Sequence, residues 1–229
     1  MLVLFLFLFL VILILFFSLI VQTGFGRLGS CYWAFQYNNN NSDDVVTPDI
    51  VTVGKPFGNG MPLGAVITTR EIADAFYGMG VEYFNTFGGN PVCTAAGNAV
   101  LDVLDTKQLQ QNAIEVGSYL KQRFLDLQKR LNLIGDVRGS GLFIGIELVR
   151  DHNTLEPATE ETSAICTTLV EKYHILTSID GAHDNVLVVK PPMVFSKLDA
   201  AYFVDSFEQA AKTVLALGDE ILTMKKTPT

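Results

Sequence analysis

The sequence predicts an α/β chain preceded by an apolar N-terminal segment. Three observations carry this. Residues 1–21, MLVLFLFLFLVILILFFSLIV, hold no charged side chain. Beyond them, short β-type apolar runs alternate with stretches whose apolar residues recur at helical spacing. Glycine and proline clusters mark the joints. Alternation of this kind places the chain in the α/β or α+β class.

The chain has 229 residues, room for one large domain or two small ones. Apolar residues make up 49%, part of it from the head. A formal charge of −8 argues against a nucleic-acid partner, which favours a basic face. Cys31, Cys93 and Cys166 form neither a CxxC pair nor an even set, which suits buried or idle thiols in a reducing compartment.

The head has three competing readings. As a helix, residues 1–21 would be about 32 Å long, enough to span a bilayer core. They could instead be a buried strand behind a replaced start. A cleaved signal peptide fits less well, since no Lys or Arg precedes Arg27 and no small-residue cleavage site follows. The compartment is accordingly open: membrane-associated if the head is an anchor, otherwise mitochondrial or cytoplasmic.

Residues 22–44 are turn-rich, and the run Asn38 to Asn41 reads as loop. Asp49 to Val53 reads as a strand ending at Gly54-Lys55. Pro56, Gly58, Gly60 and Pro62 then impose an irregular turn. Leu63 to Thr68 is a second strand and Arg70 to Phe76 a short helix. Asn90-Pro91 has the form of a helix start, with Asn as cap and Pro in the first turn. The spacing predicts helix from there through Asp105 and on to Leu131, with Leu109, Ala113, Val116, Leu120, Phe124 and Leu127 on one stripe. Gly135 to Val149 combines a glycine turn with a β-type run. A helix over Glu160 to Tyr173, strands over Ile175 to Ile179 and Val186 to Val189, and a helix over Lys197 to Leu217 complete the chain.

Four motifs bear on chemistry. Gly24-Phe-Gly26-Arg-Leu-Gly29 matches GxGxxG, but a dinucleotide site needs a helix opening at once, and CYWAFQYNNNN follows. Lys55 stands at a strand end before a glycine-rich turn, where partial desolvation makes a lysine a usable amine nucleophile. Pattern alone fits a solvated loop lysine better. The run Phe84-Asn-Thr86-Phe-Gly88-Gly89-Asn90-Pro91 sets a hydroxyl and two glycines before a helix start, suited either to phosphate or to a tight turn with an N-cap. Arg138, in GDVRGSG, is either an anion-binding guanidinium or a surface arginine in a hairpin-like turn. His152, His174 and His183 lack ligand spacing, and no metal site is expected.

Taken in order, QTGFGR, WAF, PDIVTVGKPFGNGMPLGAVITT, EYFNTFGGNPVC, GDVRGSGLFIGIEL and VKPPM resemble the class III, pyridoxal-phosphate (PLP) dependent aminotransferases from Gln22 to about Leu217. GKPFGNG and VEYFNTFGGNP look most like the branch of ethanolamine-phosphate and 5-phosphohydroxylysine phospho-lyases. The resemblance implies fold type I and only the C-terminal half of the family pattern. The expected parts are an apolar segment 1–21, a partial PLP domain with its long connecting helix over 22–130, and a small α/β domain over 131–229. It implies a small amine or amino-acid substrate and a homodimer with sites at the interface. Lys55 would carry the cofactor and move the substrate's α-proton. Thr86 would hold the PLP phosphate from across the dimer, Gln22 would lie by the ring hydroxyl, and Arg138 would meet the substrate.

Three features depart from the pattern. The acidic pair expected before Val21-Gln22 falls on Leu19 and Ile20, so nothing there stabilises a protonated ring nitrogen. The pattern's N-terminal half is missing. The basic residue three before the Pro-Pro pair falls on Val188. The expectation is an aminotransferase-like or phospho-lyase-like chain of weak activity; the alternative is a membrane-anchored, non-catalytic binding or dimerising module.

Overall fold

A computed structural model describes residues 17–20, 22–41, 47–80 and 82–218. The chain forms two compact units, Met1–Gln110 and Gln111–Thr229.

In the first unit, β1 (Phe17–Ile20) pairs in parallel with β2 (Ile50–Val53), and β2 pairs antiparallel with β3 (Ala65–Thr68). The β-branched sequence IVTV suits the pleat, and Val51 and Val53 are its buried members. The end of the apolar head is therefore a strand. Its backbone groups bond to β2, in register Phe17↔Ile50 through Ile20↔Val53, rather than to a helical turn of its own. This corrects the transmembrane-helix expectation for residues 1–21 and the membrane-anchored alternative built on it. Among the described residues no helix is long and apolar enough to cross a membrane. Residues 1–16 lie outside those described.

The asparagine run expected as loop closes a 3-10 helix, Ala34–Asn41, whose start is held by the Gln36 side chain accepting from the Trp33 N–H at 2.9 Å. Helix α1 (Arg70–Gly78) is capped by Thr69, and α2 (Pro91–Thr106) by Asn90, whose Oδ1 accepts from the Cys93 N–H at 2.9 Å. The single helix expected to run on to Leu131 is broken at Lys107-Gln108. Gln108 takes a left-handed conformation, φ 51°, and its amide returns to Asp105 O. Helix α3 (Leu109–Gln128) starts anew and carries the predicted stripe. Apolar periodicity continues across such a break, which is why the stripe did not reveal it.

The second unit is an antiparallel sheet of order β4-β5-β8-β7: β4 (Ile134–Ser140), β5 (Phe143–Asp151), β7 (Ser178–Asp180) and β8 (Val186–Val189), with β6 (Glu156–Pro157) added to β5. Alternation sends Val137, Ile144, Ile146, Leu148, Leu187 and Val189 to one face. There they join the apolar sides of α3, α4 (Thr159–Tyr173) and α5 (Lys197–Leu217) in one core. Phe124 sits edge-on to Phe203 and Phe207, with centroids 5.6 and 5.3 Å away. Arg138, read either as an anion-binding guanidinium or as a surface arginine in a hairpin-like turn, lies within β4, and Gly141-Leu142 make the turn.

Gly117 lets α3 meet that turn. A Cβ there would stand 2.2 Å from the Gly141 carbonyl oxygen, a backbone atom with nowhere to go. Gly117→Ala should therefore lower the unfolding free energy by about 1–3 kcal/mol. This holds although alanine is the better helix former by about 1 kcal/mol. Urea midpoints check it.

Glu208 on α5 is buried, and its carboxylate accepts from Arg130 and, at 2.8 Å, from Lys212. Arg130, then Lys212, hold its pKa below the ordinary 4.5. A depressed folded pKa means stability fully present above the unfolded value and lost as pH falls through the folded one. Glu208→Gln should thus cost stability at neutral pH and flatten the acid limb below about pH 4.5, seen in urea midpoints against pH.

Candidate functional site

The site candidates of the first unit gather where parallel strands end. Ile20 and Val53 are register partners, so Gln22 and Lys55 each follow two residues beyond the C-terminal ends of neighbouring parallel strands. That edge is where open parallel sheets place their ligands, because the chain must turn away there and leaves room. Beyond β2 the chain turns sharply: Gly54 is extended, Lys55 takes φ 46°, and Lys55–Gly58 form one 3-10 turn closing on Asn59. Pro56 disfavours the right-handed helical region for Lys55, but the positive φ of that lysine departs also from the extended region a residue before proline prefers. Strain of this kind is of the order of 1–2 kcal/mol and collects at functional positions.

An aromatic stack fixes the turn from behind. Phe57 lies on Phe25 with centroids 5.3 Å apart and planes at 5°, and Phe25 meets Trp33 edge-on at 5.1 Å. Phe25 belongs to the glycine-rich loop after Gln22, so the segments following β1 and β2 hold each other. Gln110 clamps the same loop by donating to Gly29 O at 2.8 Å. The GxGxxG glycines thus serve turns, with Gly26 and Gly29 both at φ 75°, and no α-helix opens behind them. On the other side Gly97 of α2 faces Leu63 and the Phe57 ring, and a Cβ there would stand 2.4 Å from Leu63 Cδ2.

The lysine is exposed and makes no hydrogen bond or ion pair among the described residues, and Gln22 is half-buried. Three residues before Lys55, Thr52 Oγ1 is buried with no partner among the described residues. Leaving a buried hydroxyl unbonded costs about 1–3 kcal/mol, so it marks a place where a polar group belongs. Strand alternation alone gave no hint of it.

Thr86 is exposed in the loop before α2. Asn85 Oδ1 accepts from the N–H groups of Phe87 and Gly88 at 3.0 and 2.9 Å, and Asn90 caps the helix. The loop is thus a tight turn with an N-cap, its amides largely spent on itself, and the Thr86 hydroxyl stays available. Tyr83, Phe84 and Phe87 around it are strongly exposed. Arg138 belongs to the second unit. Its guanidinium donates to Asp136 at 2.9 Å and to Glu147, and these carboxylates raise its pKa. Cys31, Cys93 and Cys166 are free thiols, and burial raises the pKa of Cys31 and Cys166.

Residues 14–211 match the family model for class III aminotransferases. The chain belongs to that family. It is 47% identical over 195 residues to an alanine–glyoxylate aminotransferase 2-like protein of Drosophila melanogaster, covering 85% of this chain and 38% of the relative. It is 46% identical to ethanolamine-phosphate phospho-lyase homolog 1 of Caenorhabditis elegans, covering 89% and 40%. Among solved structures, a phospholyase from Arthrobacter in complex with phosphoethanolamine is 41% identical with a TM-score of 0.79, covering 87% of this chain and 45% of that one. The chain therefore spans less than half the length of these relatives. Its core is that of the fold type I aminotransferases, and the cofactor consistent with class III membership is pyridoxal 5'-phosphate. Among the described residues the Lys55 amine and the Thr86 hydroxyl make no bond, and their chemistry suits the aldehyde and the phosphate of that group.

The stack behind the lysine makes a separate prediction. Phe57→Leu should lower the stability of the chain by about 1 kcal/mol through loss of the ring pair. It should also speed amide hydrogen exchange over Gly54 to Asn59 without altering exchange in β5 or β8.

Proposed function

We propose that this chain carries the lysine side of a pyridoxal-phosphate site. Its chemistry is that of an aminotransferase or an amine-linked phospho-lyase acting on a small amine or amino acid. The observation that carries the reading is the register of β1 with β2, which sets Gln22 and Lys55 at one sheet edge with the lysine unpaired.

In this reading Lys55 would hold the cofactor through Nζ and, once the substrate amine displaces it, would take the proton from the substrate's α-carbon and return it. Bound pyridoxal phosphate supplies the electron sink. The left-handed turn and the Phe25–Phe57 stack hold the lysine backbone still while its side chain swings. Gln22 would hold the ring hydroxyl through its side-chain amide. The Thr86 hydroxyl donates to a phosphate oxygen, that of a second copy in a homodimer; the exposed Tyr83, Phe84 and Phe87 give such a dimer an apolar surface to bury. Arg138 reaches a substrate anion only by exchanging Asp136 or Glu147 for it, so its contribution to affinity is small.

The chain has Leu19 where the family pattern has an acid to hold the ring nitrogen protonated. Electron withdrawal is weaker without that charge, and slow turnover follows. The relatives named above include both an aminotransferase-like protein and a phospho-lyase homolog, and the same lysine serves either reaction.

The test is reductive trapping. Borohydride treatment of the chain with pyridoxal phosphate should leave the cofactor's mass on the peptide containing Lys55, and Lys55→Ala should remove it. Thr86→Ala should weaken cofactor retention about tenfold, by loss of one charge-assisted hydrogen bond. Label spread over surface lysines with no preference for Lys55 would overturn the reading. Fast, Lys55-dependent turnover of an amine donor would overturn the part that rests on Leu19.

A further inference from the structure

Asn59-Gly60 is the one Asn-Gly pair in the sequence, and it closes the turn that follows Lys55. Both residues are exposed. Asn59 takes a left-handed conformation, φ 46° and ψ 49°, with its N–H donating to Pro56 O at 3.1 Å. Gly60 follows at φ 98°, and apart from its chain neighbours no heavy atom stands within 4 Å of where a Cβ would be. Glycine holds such a φ without strain, and its missing side chain leaves its amide nitrogen unshielded.

The bonds of the turn leave the reactive groups of this pair out. The Asn59 N–H is tied to Pro56 O, and the Met61 N–H donates to Gly58 O at 3.0 Å. Between them, the Gly60 N–H and the Asn59 side-chain amide make no hydrogen bond among the described residues. Upstream the turn is firm, with Gly58 buried and Phe57 stacked on Phe25. The movement that brings the Gly60 nitrogen onto Asn59 Cγ is therefore local: rotation about Asn59 ψ, with the Met61–Gly58 bond given up during a brief opening. Other pairs lack this combination. Asn85 precedes the branched Thr86, and its Oδ1 is held by the N–H groups of Phe87 and Gly88. Asn185 is buried and donates to Leu148 O at 2.9 Å. Asp180-Gly181 has a similar backbone, with Gly181 at φ 94°, but the Gly181 N–H donates to Asp180 Oδ1 at 2.8 Å, and a carboxylate is a poorer electrophile than a carboxamide.

We propose that Asn59 is a site of self-modification, converting to isoaspartate through the Gly60 amide. Hydroxide removes the Gly60 N–H proton, the nitrogen attacks Asn59 Cγ, and the side-chain nitrogen leaves as ammonia. Water then opens the resulting cyclic imide. Cleavage at the Asn59 main-chain carbonyl routes the backbone through Cγ and gives isoaspartate; cleavage at Cγ gives aspartate. Solvent is the only co-reactant, and nothing is oxidised or reduced. Isoaspartate adds one carbon to the backbone inside the loop closed by the Met61–Gly58 bond, so that bond is lost. It also sets a carboxylate, ionised at neutral pH, in a segment whose one charge from Gly54 to Leu63 is Lys55. The exposed product is a substrate for methyltransferases that esterify isoaspartyl carboxylates. The reaction needs no cofactor and does not rest on the reading of Lys55.

The test incubates the full chain at neutral and at mildly alkaline pH, folded and in guanidinium chloride, and maps the digest by mass. In the folded chain, amide should turn to acid at Asn59 several-fold faster than at Asn85 or Asn153, at a rate that rises with hydroxide concentration. Isoaspartyl methyltransferase with labelled S-adenosylmethionine should mark the peptide containing Asn59, and Asn59→Gln should remove that mark. The Met61 amide should exchange faster in the converted chain. The proposal is overturned if Asn59 stays intact in the folded chain over the time in which the unfolded chain converts. Conversion no faster than at Asn85, or a methyl label undiminished in Asn59→Gln, overturns it equally. Unchanged Met61 exchange overturns the loosening of the turn.

Discussion

The parallel pairing of β1 with β2 is the constraint on which the candidate site depends. Parallel strands run the same way, so both chains leave the sheet at one edge and both must turn there. Register then fixes which residues meet. With Ile20 opposite Val53, Gln22 and Lys55 emerge together, and the stacking of Phe25 on Phe57 follows from the same alignment. A slip of one residue would send every side chain of β1 to the other face and carry the glycine-rich loop away from the lysine turn.

The second unit is built on a different principle. Its strands are antiparallel and one face is covered by helices, so alternation alone sorts apolar from polar residues. Close approach at Gly117 and Gly141 sets how α3 lies on the hairpin. The opposite face keeps Arg138 with Asp136 and Glu147, a group whose charges answer one another.

Most elements were legible because their signals are local. The Asn90-Pro91 start, the limits of α5 and the runs of β2 and β8 depend on capping atoms, β-branching and spacing that act within a few residues. Less legible were features settled at a distance. The break at Lys107-Gln108 interrupts no apolar stripe. The head reads as well for a bilayer helix as for a buried strand, since an apolar run is equally suited to lipid and to a sheet; only the presence of β2 beside it makes Phe17–Ile20 a strand. Arg138 looked available because one of its two carboxylates, Glu147, lies nine residues away on the neighbouring strand.

By itself the sequence determined the class and the family and pointed to Lys55, because ordered motifs carry these and each motif is a contiguous run of residue types. Only the tertiary structure decided which groups are already spoken for. It bonded Arg138 to its neighbours and spent the amides of the Thr86 loop on Asn85. Among the described residues it left the Lys55 amine and the Thr52 hydroxyl without partners. Whether a polar group is satisfied is a property of what folding brings beside it, and that is set by the pairing of strands distant in the chain.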